Sequence, residues 1–535
     1  MRRLNIVYCI FFSMLFSPLF SQEKENAISY VAEISGVGAI SNAAPFWLQH
    51  RNYGIASSEA FSASALLGLY KNVDYSSPKF DYGFQLTGFA LTNKQTTLFA
   101  PHQYSFQLHW QMFDLTIGAK AMQWGNQDNE LSAGGLIFSS NACPMPRITL
   151  GIDEYYKMPI TGGMIEIKGG LSHGWFNDNA PIENVLLHHK FAALRLGGHS
   201  PVRFEYELHH MAQWGGNIPG VGQQPVGFNN FLRIFAAQGG GSDAHESDQI
   251  NTLGNHLISQ QLKVTANFDQ WHLGAYWQNI SEDGPVRFIT STMNVADGLW
   301  GLSIKRDRKS VIQSFLYEYL NTTDQSGPYH DKDGIVYGGV DHYFMNGIYT
   351  SGWTYFGRMI GTPFVGNVNV EGFNIFNNRV QVHHFGLSGA ISKLNYKALF
   401  SHAKSYGNYS QPFPEAIKAN YLMLDITRPN IVAGFDIALA LSADIVPQAN
   451  NNYGAMLRLT KTGSLFKTKN NKVKETINNE GKVDVKESPK KPKVNVDEKE
   501  SPKKPKVKET INNEGKVDVK ESPKKPKVKE KPVQL

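Results

Sequence analysis

Adjacent histidines are the side chains of this sequence whose type and spacing most suggest metal binding. They occur at His188–His189, His209–His210 and His383–His384. The second and third pairs lie in alternating sequences typical of β-strands, where neighbouring side chains point to opposite faces. Because the two rings of such a pair cannot reach one ion, the spacing predicts no metal site, and we expect no cofactor.

A second group of residues has the chemistry for acid–base catalysis. Glu205, Glu207 and His209 alternate along one predicted strand and therefore share one of its faces. The ordinary polarity of a solvated strand face explains these residues better. The sequence has no serine nucleophile elbow, phosphate-binding loop or zinc-protease helix motif. We therefore expect no catalytic residues and no enzymatic activity.

The segment richest in polar and aromatic side chains is AMQWGNQDNELSAGGLIFSSNACPMPRITLGI, residues 121–152. Amides and carboxylates beside an indole suit sugar recognition, because the polar groups pair with hydroxyls while the aromatic face covers the apolar side of the sugar. The same composition also suits a loop held by its own side-chain to backbone hydrogen bonds. Composition alone favours neither interpretation.

The elements that must position these residues are β-strands, because apolar and polar residues alternate through most of the chain. Clear examples are residues 80–87, 104–111, 202–209, 262–277 and 453–459. A soluble sandwich and a membrane barrel both alternate in this way, but about 445 residues suit a barrel of roughly 16–18 strands. No apolar run after residue 21 could form a transmembrane helix, so a membrane span requires a closed barrel. We predict an all-β, transmembrane antiparallel β-barrel with short helical loop segments.

The alternation is interrupted at residues 174–188, 214–260 and 323–336. The second of these stretches is rich in Gly, Asn and Gln and contains an apolar patch at Phe228–Ala236. Long loops of membrane barrels are usually exposed, so these stretches could carry binding. The alternative is that they are disordered or short-helical loops.

The two ends of the chain differ from its body. Residues 1–21 combine two arginines, an apolar run and a final small residue, which is typical of a cleaved signal peptide. Residues 22–466 form the predicted barrel. Residues 467–535 contain two copies of VKETINNEGKVDVKESPKKPKV and no aromatic residue. This composition predicts a disordered Lys/Pro-rich tail.

Net charge changes at the same boundaries. The tail has 21 lysines and 12 acidic residues, or +9, and the signal adds +2, so the total of +6 leaves −5 for residues 22–466. The basic character therefore belongs to the tail, and the body offers no general basic surface for nucleic acid. Without the signal, Cys143 is the only cysteine, which excludes an intramolecular disulfide and a thiolate metal cluster.

Two segments resemble the Wzi capsule-assembly family of outer-membrane proteins, of the Bacteroidetes type. They are residues 121–152 and SGWTYFGRMIGTPF at residues 351–364, and the similarity extends over most of residues 27–466. The resemblance implies a barrel of about 18 strands that acts as a lectin and retains capsular or other surface polysaccharide without catalysis. The repeat tail is not part of the family pattern.

Candidate glycan-binding residues are chosen within these two segments by their chemistry. They are Trp124, Asn126, Gln127, Trp353, Tyr355 and Arg358. The expected partners are surface polysaccharide and outer-membrane lipid. An even number of strands places both termini in the periplasm, where the tail could meet an anionic partner.

Two other classes of outer-membrane protein remain open. A diffusion porin would have an open constriction lined by opposed charges. An outer-membrane hydrolase would bring a nucleophile and a base together near the barrel rim. A glycan-binding protein would instead have an occluded lumen and loops rich in aromatic and amide side chains.

Overall fold

The computed structural model describes residues 27–75, 80–178, 180–282, 296–327, 339–370 and 373–465. Two units divide the chain, residues 1–469 and 470–535. The predicted signal peptide at residues 1–21 and the predicted tail at residues 467–535 lie outside the described residues.

Strands dominate the first unit, and their alternating sequences place apolar side chains on one face and polar side chains on the other. In the first half of the chain they are β1 Ser29–Ala43, β2 Glu59–Lys71, β3 Asp81–Asn93, β4 Thr97–Trp110, β5 Phe113–Ala119, β6 Pro146–Lys157, β7 Ile165–Phe176, β8 Glu183–Leu196, β9 Val202–Ile218, β10 Gly222–Gln223, β11 Asn255–Phe268 and β12 Trp271–Gln278. In the second half they are β13 Gly298–Arg306, β14 Ser314–Asn321, β15 Thr354–Tyr355, β16 Arg358–Met359, β17 Gly366–Val370, β18 Phe373–Asn377, β19 Val380–Ile391, β20 Leu394–Gly407, β21 Pro412–Arg428, β22 Phe435–Ile445 and β23 Asn452–Ser464.

The long strands close into an 18-strand antiparallel β-barrel, which confirms the predicted fold class. Closure is made by β23 against β1, where Ser464 lies opposite Ser29. The short strand β10 extends the edge of β9, and β15–β16 and β17–β18 form separate hairpins within one long connection.

The two faces of the strands meet different surroundings, as the alternation predicts. On β9, Val202 and Phe204 are exposed on the outer face, whereas Glu205, Glu207 and His209 are buried on the lumenal face. The apolar side therefore faces outward, which is the arrangement of a membrane barrel rather than of a soluble sandwich.

At one end of the barrel, here called the loop end, several strands are joined by long connections. They are residues 44–58, 120–145, 219–254, 279–297 and 322–379. The opposite end, here called the turn end, has short connections such as residues 111–112 and 269–270. In the latter, Phe268 pairs with Trp271 across a two-residue hairpin turn.

Two of the long connections fold into the lumen. Residues 120–145 and 339–366, together called the plug, share a hydrophobic core with inward side chains of the strands. Leu136 and Trp353 of the plug are buried in this core beside Leu316 of β14 and Val382 of β19. Side chains of the plug therefore occupy part of the lumen.

Short helices occur in the connections, as predicted. They are α1 Phe46–Gln49, α2 Phe228–Ala236 and α3 Glu246–Ile250, with a 3-10 turn at Pro159–Thr161. Among the described helices, none is long and apolar enough to cross a membrane.

The predicted interruptions of the alternation are partly wrong. Within 174–188, β7 continues to Phe176 and β8 begins at Glu183, so the loop is limited to residues 177–182. Within 214–260, β9 extends to Ile218 and β11 begins at Asn255. Strand pairing overrides the weak local alternation at these ends. Most of the stretch 323–336 lies outside the described residues.

Candidate functional site

Inward side chains of the strands hold residues 120–145 of the plug. The Glu318 carboxylate on β14 accepts hydrogen bonds from Ser132 Oγ at 2.6 Å, from the Ala133 backbone N–H at 2.8 Å and from the Tyr276 hydroxyl at 2.6 Å. A buried carboxylate with several donors is favourable because each lone pair that loses water gains a partner. His384 on β19 donates from Nε2 to the Leu131 carbonyl at 2.8 Å.

Three of the predicted glycan-binding residues lie inside this plug. Trp124 is buried, with its ring edge-on to Phe191 at 4.7 Å. Asn126 donates from Nδ2 to the Leu262 carbonyl at 2.8 Å, and Gln127 accepts from Gln278 Nε2 at 2.7 Å. All three are buried and contact the barrel strands rather than facing solvent.

The other three residues lie around the β15–β16 hairpin. Trp353 is buried and donates from Nε1 to the Ile137 carbonyl at 2.7 Å, which joins the two parts of the plug. The Tyr355 hydroxyl donates to Asn177. Arg358 donates to the backbone carbonyl of Gln49 at 2.6 Å and therefore ties the hairpin to α1.

A large cavity of about 1180 Å³ opens at the loop end. Its walls mix aromatic and polar side chains, including Tyr104, Tyr355, Phe356, Asn141, Asn177 and Arg358. Of the six predicted residues, Tyr355 and Arg358 line this cavity, whereas Trp124, Asn126, Gln127 and Trp353 do not. The volume is slightly above the range of about 300–1,000 Å³ typical of small-molecule pockets.

A second cavity of about 450 Å³ lies in the lumen nearer the turn end. Its walls include the charged side chains Arg51, Glu130, Lys397, Asp425 and Arg458. His50 lines both cavities, so the layer formed by α1 and the plug separates them.

His50 is the titratable side chain at this boundary. Its Nδ1 lies 2.7 Å from Asn141 Oδ1, and its ring packs on Phe46 at 4.4 Å. Burial, together with the charge of Arg358, lowers the pKa of His50 from 6.5 to about 4. The ring is therefore neutral at physiological pH.

Phe356 is a cavity residue that sequence reasoning missed. It occupies the tip of the β15–β16 hairpin, where Phe356 and Gly357 both have positive φ angles, of 48° and 68°. Two consecutive positive φ angles are typical of a type I′ turn. The ring is 50% exposed, and the backbone N–H donates to Asp178 at 2.8 Å. The signal available in the sequence was the dipeptide Phe356-Gly357, which lies between two short strands.

The Glu205, Glu207 and His209 group is confirmed to share the lumenal face. His209 Nε2 lies 3.1 Å from Glu207 Oε2, and Arg195 pairs with Glu205 at 3.1 Å. The Tyr155 hydroxyl lies 3.3 Å from both carboxylates. These contacts form a network between neighbouring strands. Over the described ranges, there is no cluster of three or more His, Cys, Asp or Glu side chains suited to a metal ion.

The fold and the site define a class of protein, a closed barrel whose lumen is occluded by its own plug and whose loop end carries a polar and aromatic cavity. The sequence profile of the capsule assembly protein Wzi matches residues 39–373. The chain belongs to the Wzi capsule assembly family and is an outer-membrane β-barrel. No curated protein matches the chain.

Solved structures with the same fold include Wzi of Escherichia coli, described as a carbohydrate-binding β-barrel of the outer membrane involved in group 1 capsule assembly. It is 13% identical, has a TM-score of 0.54, and the match covers 81% of this chain and 85% of that chain. OpdQ of Pseudomonas aeruginosa is 9% identical with a TM-score of 0.44, covering 83% of this chain and 100% of that chain.

Proposed function

We propose that this protein binds capsular or other surface polysaccharide in the loop-end cavity and retains it at the cell surface without catalysis. The cavity is the observation that carries the proposal, because it combines exposed aromatic surface with amide groups at one mouth of an occluded barrel. Long loops of outer-membrane barrels lie on the extracellular side, so this mouth faces the polysaccharide layer.

The chemistry of the cavity suits sugars. Phe356 offers a solvent-accessible ring on which the apolar face of a pyranose could stack. The exposed amide of Asn177 can donate to and accept from hydroxyl groups, whereas the buried Asn141 amide is already bonded to His50 and to the Met359 carbonyl. Binding several sugar units of one chain would add their separate contributions, which suits retention of a polymer.

The six residues predicted from the sequence enter the proposal in two roles. Tyr355 and Arg358 line the cavity and are proposed to contact glycan. For Trp124, Asn126, Gln127 and Trp353, direct contact stays a prediction, since their present contacts hold the plug.

The plug in the lumen argues against the porin alternative. An open constriction between opposed charges is what a diffusion channel needs, whereas buried side chains of the plug occupy this lumen. The proposed binding of polysaccharide therefore does not require solutes to pass through the barrel.

For the tail, we propose a periplasmic position. The described barrel begins at β1 and ends at β23, and both of these ends lie at the turn end. Lysines of the tail would then attract anionic polymers of the periplasm, with a strength that falls as salt rises.

The test is deletion of the gene followed by measurement of polysaccharide on cells and in the medium. We expect polysaccharide to move from the cells to the medium while the total amount is unchanged, and the intact gene to restore retention. Normal retention in the deletion strain, together with ion conductance of the purified barrel, would favour the porin instead.

A further inference from the structure

The outer wall of the barrel carries a group of histidines that is unexpected on a lipid-facing surface. His188, His210 and His256 lie on β8, β9 and β11 at positions that face outward, as Phe204 does. Their neighbours His189 and His209 face the lumen. The three rings are nevertheless buried. His210 and His256 are stacked at 5.0 Å, with a hydrogen bond of 2.7 Å between Nε2 and Nδ1.

Helix α2 covers these histidines from outside the barrel. Phe231 and Phe235 each place a ring edge-on to His188 at 5.6 Å. Ile234 is fully buried and belongs to a small hydrophobic cluster with the outward Trp214 of β9. The β9–β11 connection therefore folds back over the barrel wall.

Lys190 on β8 places a positive charge on the same outward face. Its Nζ donates to the carbonyl of Phe235 at the C-terminus of α2 and lies 3.9 Å from the centre of the Phe235 ring. A carbonyl at a helix C-terminus and an aromatic face both stabilise a cation. Helix α2 thus satisfies the one lysine that the outer face of β8 would otherwise present to lipid.

The depth of the group follows from strand geometry. From Val202, the first outward residue of β9, to His210 is eight residues, or about 20 Å along the barrel axis for a strand tilted by about 40°. The apolar band of an outer-membrane barrel is about 25 Å tall. His210 therefore lies at the depth of the outer leaflet, where uncovered polar side chains would be costly.

The side of α2 that points away from the barrel is apolar. Phe228 and Leu232 on this side are 73% and 47% exposed, and Phe235, whose ring lies at the edge of this side and also contacts His188 and Lys190, is 40% exposed. With 3.6 residues per turn, they fall within about 60° of one another around the helix. Asn229 and Arg233 lie on the adjacent polar flank. This division is typical of a helix that lies in a membrane interface.

We propose that α2 is an interfacial helix whose Phe228, Leu232 and Phe235 stripe inserts among the acyl chains of the outer leaflet. Acyl chains are the occupant that fits, because the stripe continues the exposed apolar belt formed on the same wall by Leu194, Phe204 and Val264. The helix thereby shields the histidines and Lys190 from lipid and fixes the β9–β11 connection beside the barrel.

The experiment places the photoreactive residue benzoylphenylalanine at single positions in the full chain, in the outer membrane of living cells. Leu232 tests the stripe, Asn229 is the matched control on the polar flank, and Phe204 on the barrel belt is the positive control. After irradiation, adducts are identified by mass spectrometry, and heat-modifiable migration on gels confirms that each variant is folded.

We expect lipid adducts from Leu232 in a yield similar to that from Phe204, and no lipid adduct from Asn229. Absence of lipid adducts at Leu232 while Phe204 forms them would overturn the proposal. Cross-links from Leu232 to a second copy of the chain, or to polysaccharide, would assign the stripe to that partner and overturn it equally. The readout does not depend on whether the protein binds glycan.

Discussion

At the scale of single residues, exposure separates side chains that can meet a ligand from those that hold the plug. Phe356 packs edge-on against Tyr355 at 4.7 Å and keeps half of its surface open to the cavity. Trp124 and Trp353 have larger rings but are buried. The structure therefore favours Phe356 as the aromatic platform.

Replacing Phe356 with alanine should weaken polysaccharide binding about tenfold, since a stacked aromatic ring contributes on the order of 1.4 kcal/mol. Binding of the purified protein to the cell's own polysaccharide would measure this effect. Ile160→Ala removes an exposed apolar side chain at the turn end and is the matched control. Equal affinities for the two variants would exclude Phe356 from the site.

Substituting alanine for Trp124 or Trp353 should loosen the plug, because loss of a buried indole costs about 3–5 kcal/mol. Hydrogen exchange of residues 131–140 should accelerate, and polysaccharide should then be shed from cells. The barrel should keep its heat-modifiable migration. A plug that stays protected while binding is lost would instead identify the indole as a direct glycan contact.

Acid should weaken the contact between α1 and the plug. The pKa of His50 is lowered from 6.5 to about 4 while α1 is packed against the plug. As the pH falls from 6.5 to 4, the state in which α1 is detached therefore takes up a proton and the packed state does not. Stability is therefore complete above pH 6.5 and falls as the pH approaches 4, by up to about 3 kcal/mol. Hydrogen exchange of residues 44–58 would measure the stability of this contact. His50→Gln should flatten this dependence, and an unchanged pH profile in that variant would contradict the assignment.

At the scale of elements, the plug is held by contacts that its own sequence does not contain. Ser132 and Ala133 depend on Glu318 of β14, and Leu131 depends on His384 of β19. Both partners are inward residues of long strands. The rigid barrel wall therefore decides where the plug lies.

Glu318→Leu should release the plug, because the hydroxyls of Ser132 and Tyr276 and the N–H of Ala133 would lose their acceptor, at about 1–3 kcal/mol for each unsatisfied group. We expect ion conductance in planar bilayers to rise above that of the unmodified protein. Glu33→Leu is the matched control, since Glu33 accepts from Thr460 of β23 rather than from the plug. Equal conductance of the two variants would show that Glu318 does not hold the plug.

At the scale of the whole molecule, closure of β23 on β1 satisfies the backbone hydrogen bonds of both edges. The register between them runs without a shift from Ser29 to Ala39. The barrel is thus complete by Ser464, before the Lys/Pro-rich repeats begin.

Removal of residues 467–535 should therefore leave assembly unchanged, because the barrel needs no further strand. Outer-membrane fractionation and heat-modifiable migration on gels would measure this. Failure of the truncated protein to reach the outer membrane would mean that the tail takes part in folding.

The sequence by itself determined the barrel and the faces of its strands. A strand repeats every two residues, so the alternation of Phe204 and Leu208 with Glu205 and His209 fixes which side meets lipid, independently of any distant residue. The same argument places His209 and His210 on opposite faces. It could not reveal that His209 would meet His189 of β8 at 3.2 Å, because the register between strands is set by pairing.

Tertiary structure decided whether the long connections lie inside or outside the barrel. Aromatic and amide side chains suit both an exposed sugar platform and a buried plug, so composition could not separate the two for Trp124 and Asn126. The contacts that bury the plug join residues far apart in the chain, such as Trp353 and Ile137, which are 216 positions apart. Local periodicity carries no information at that range, and the same limit hid the docking of α2 on the outer wall.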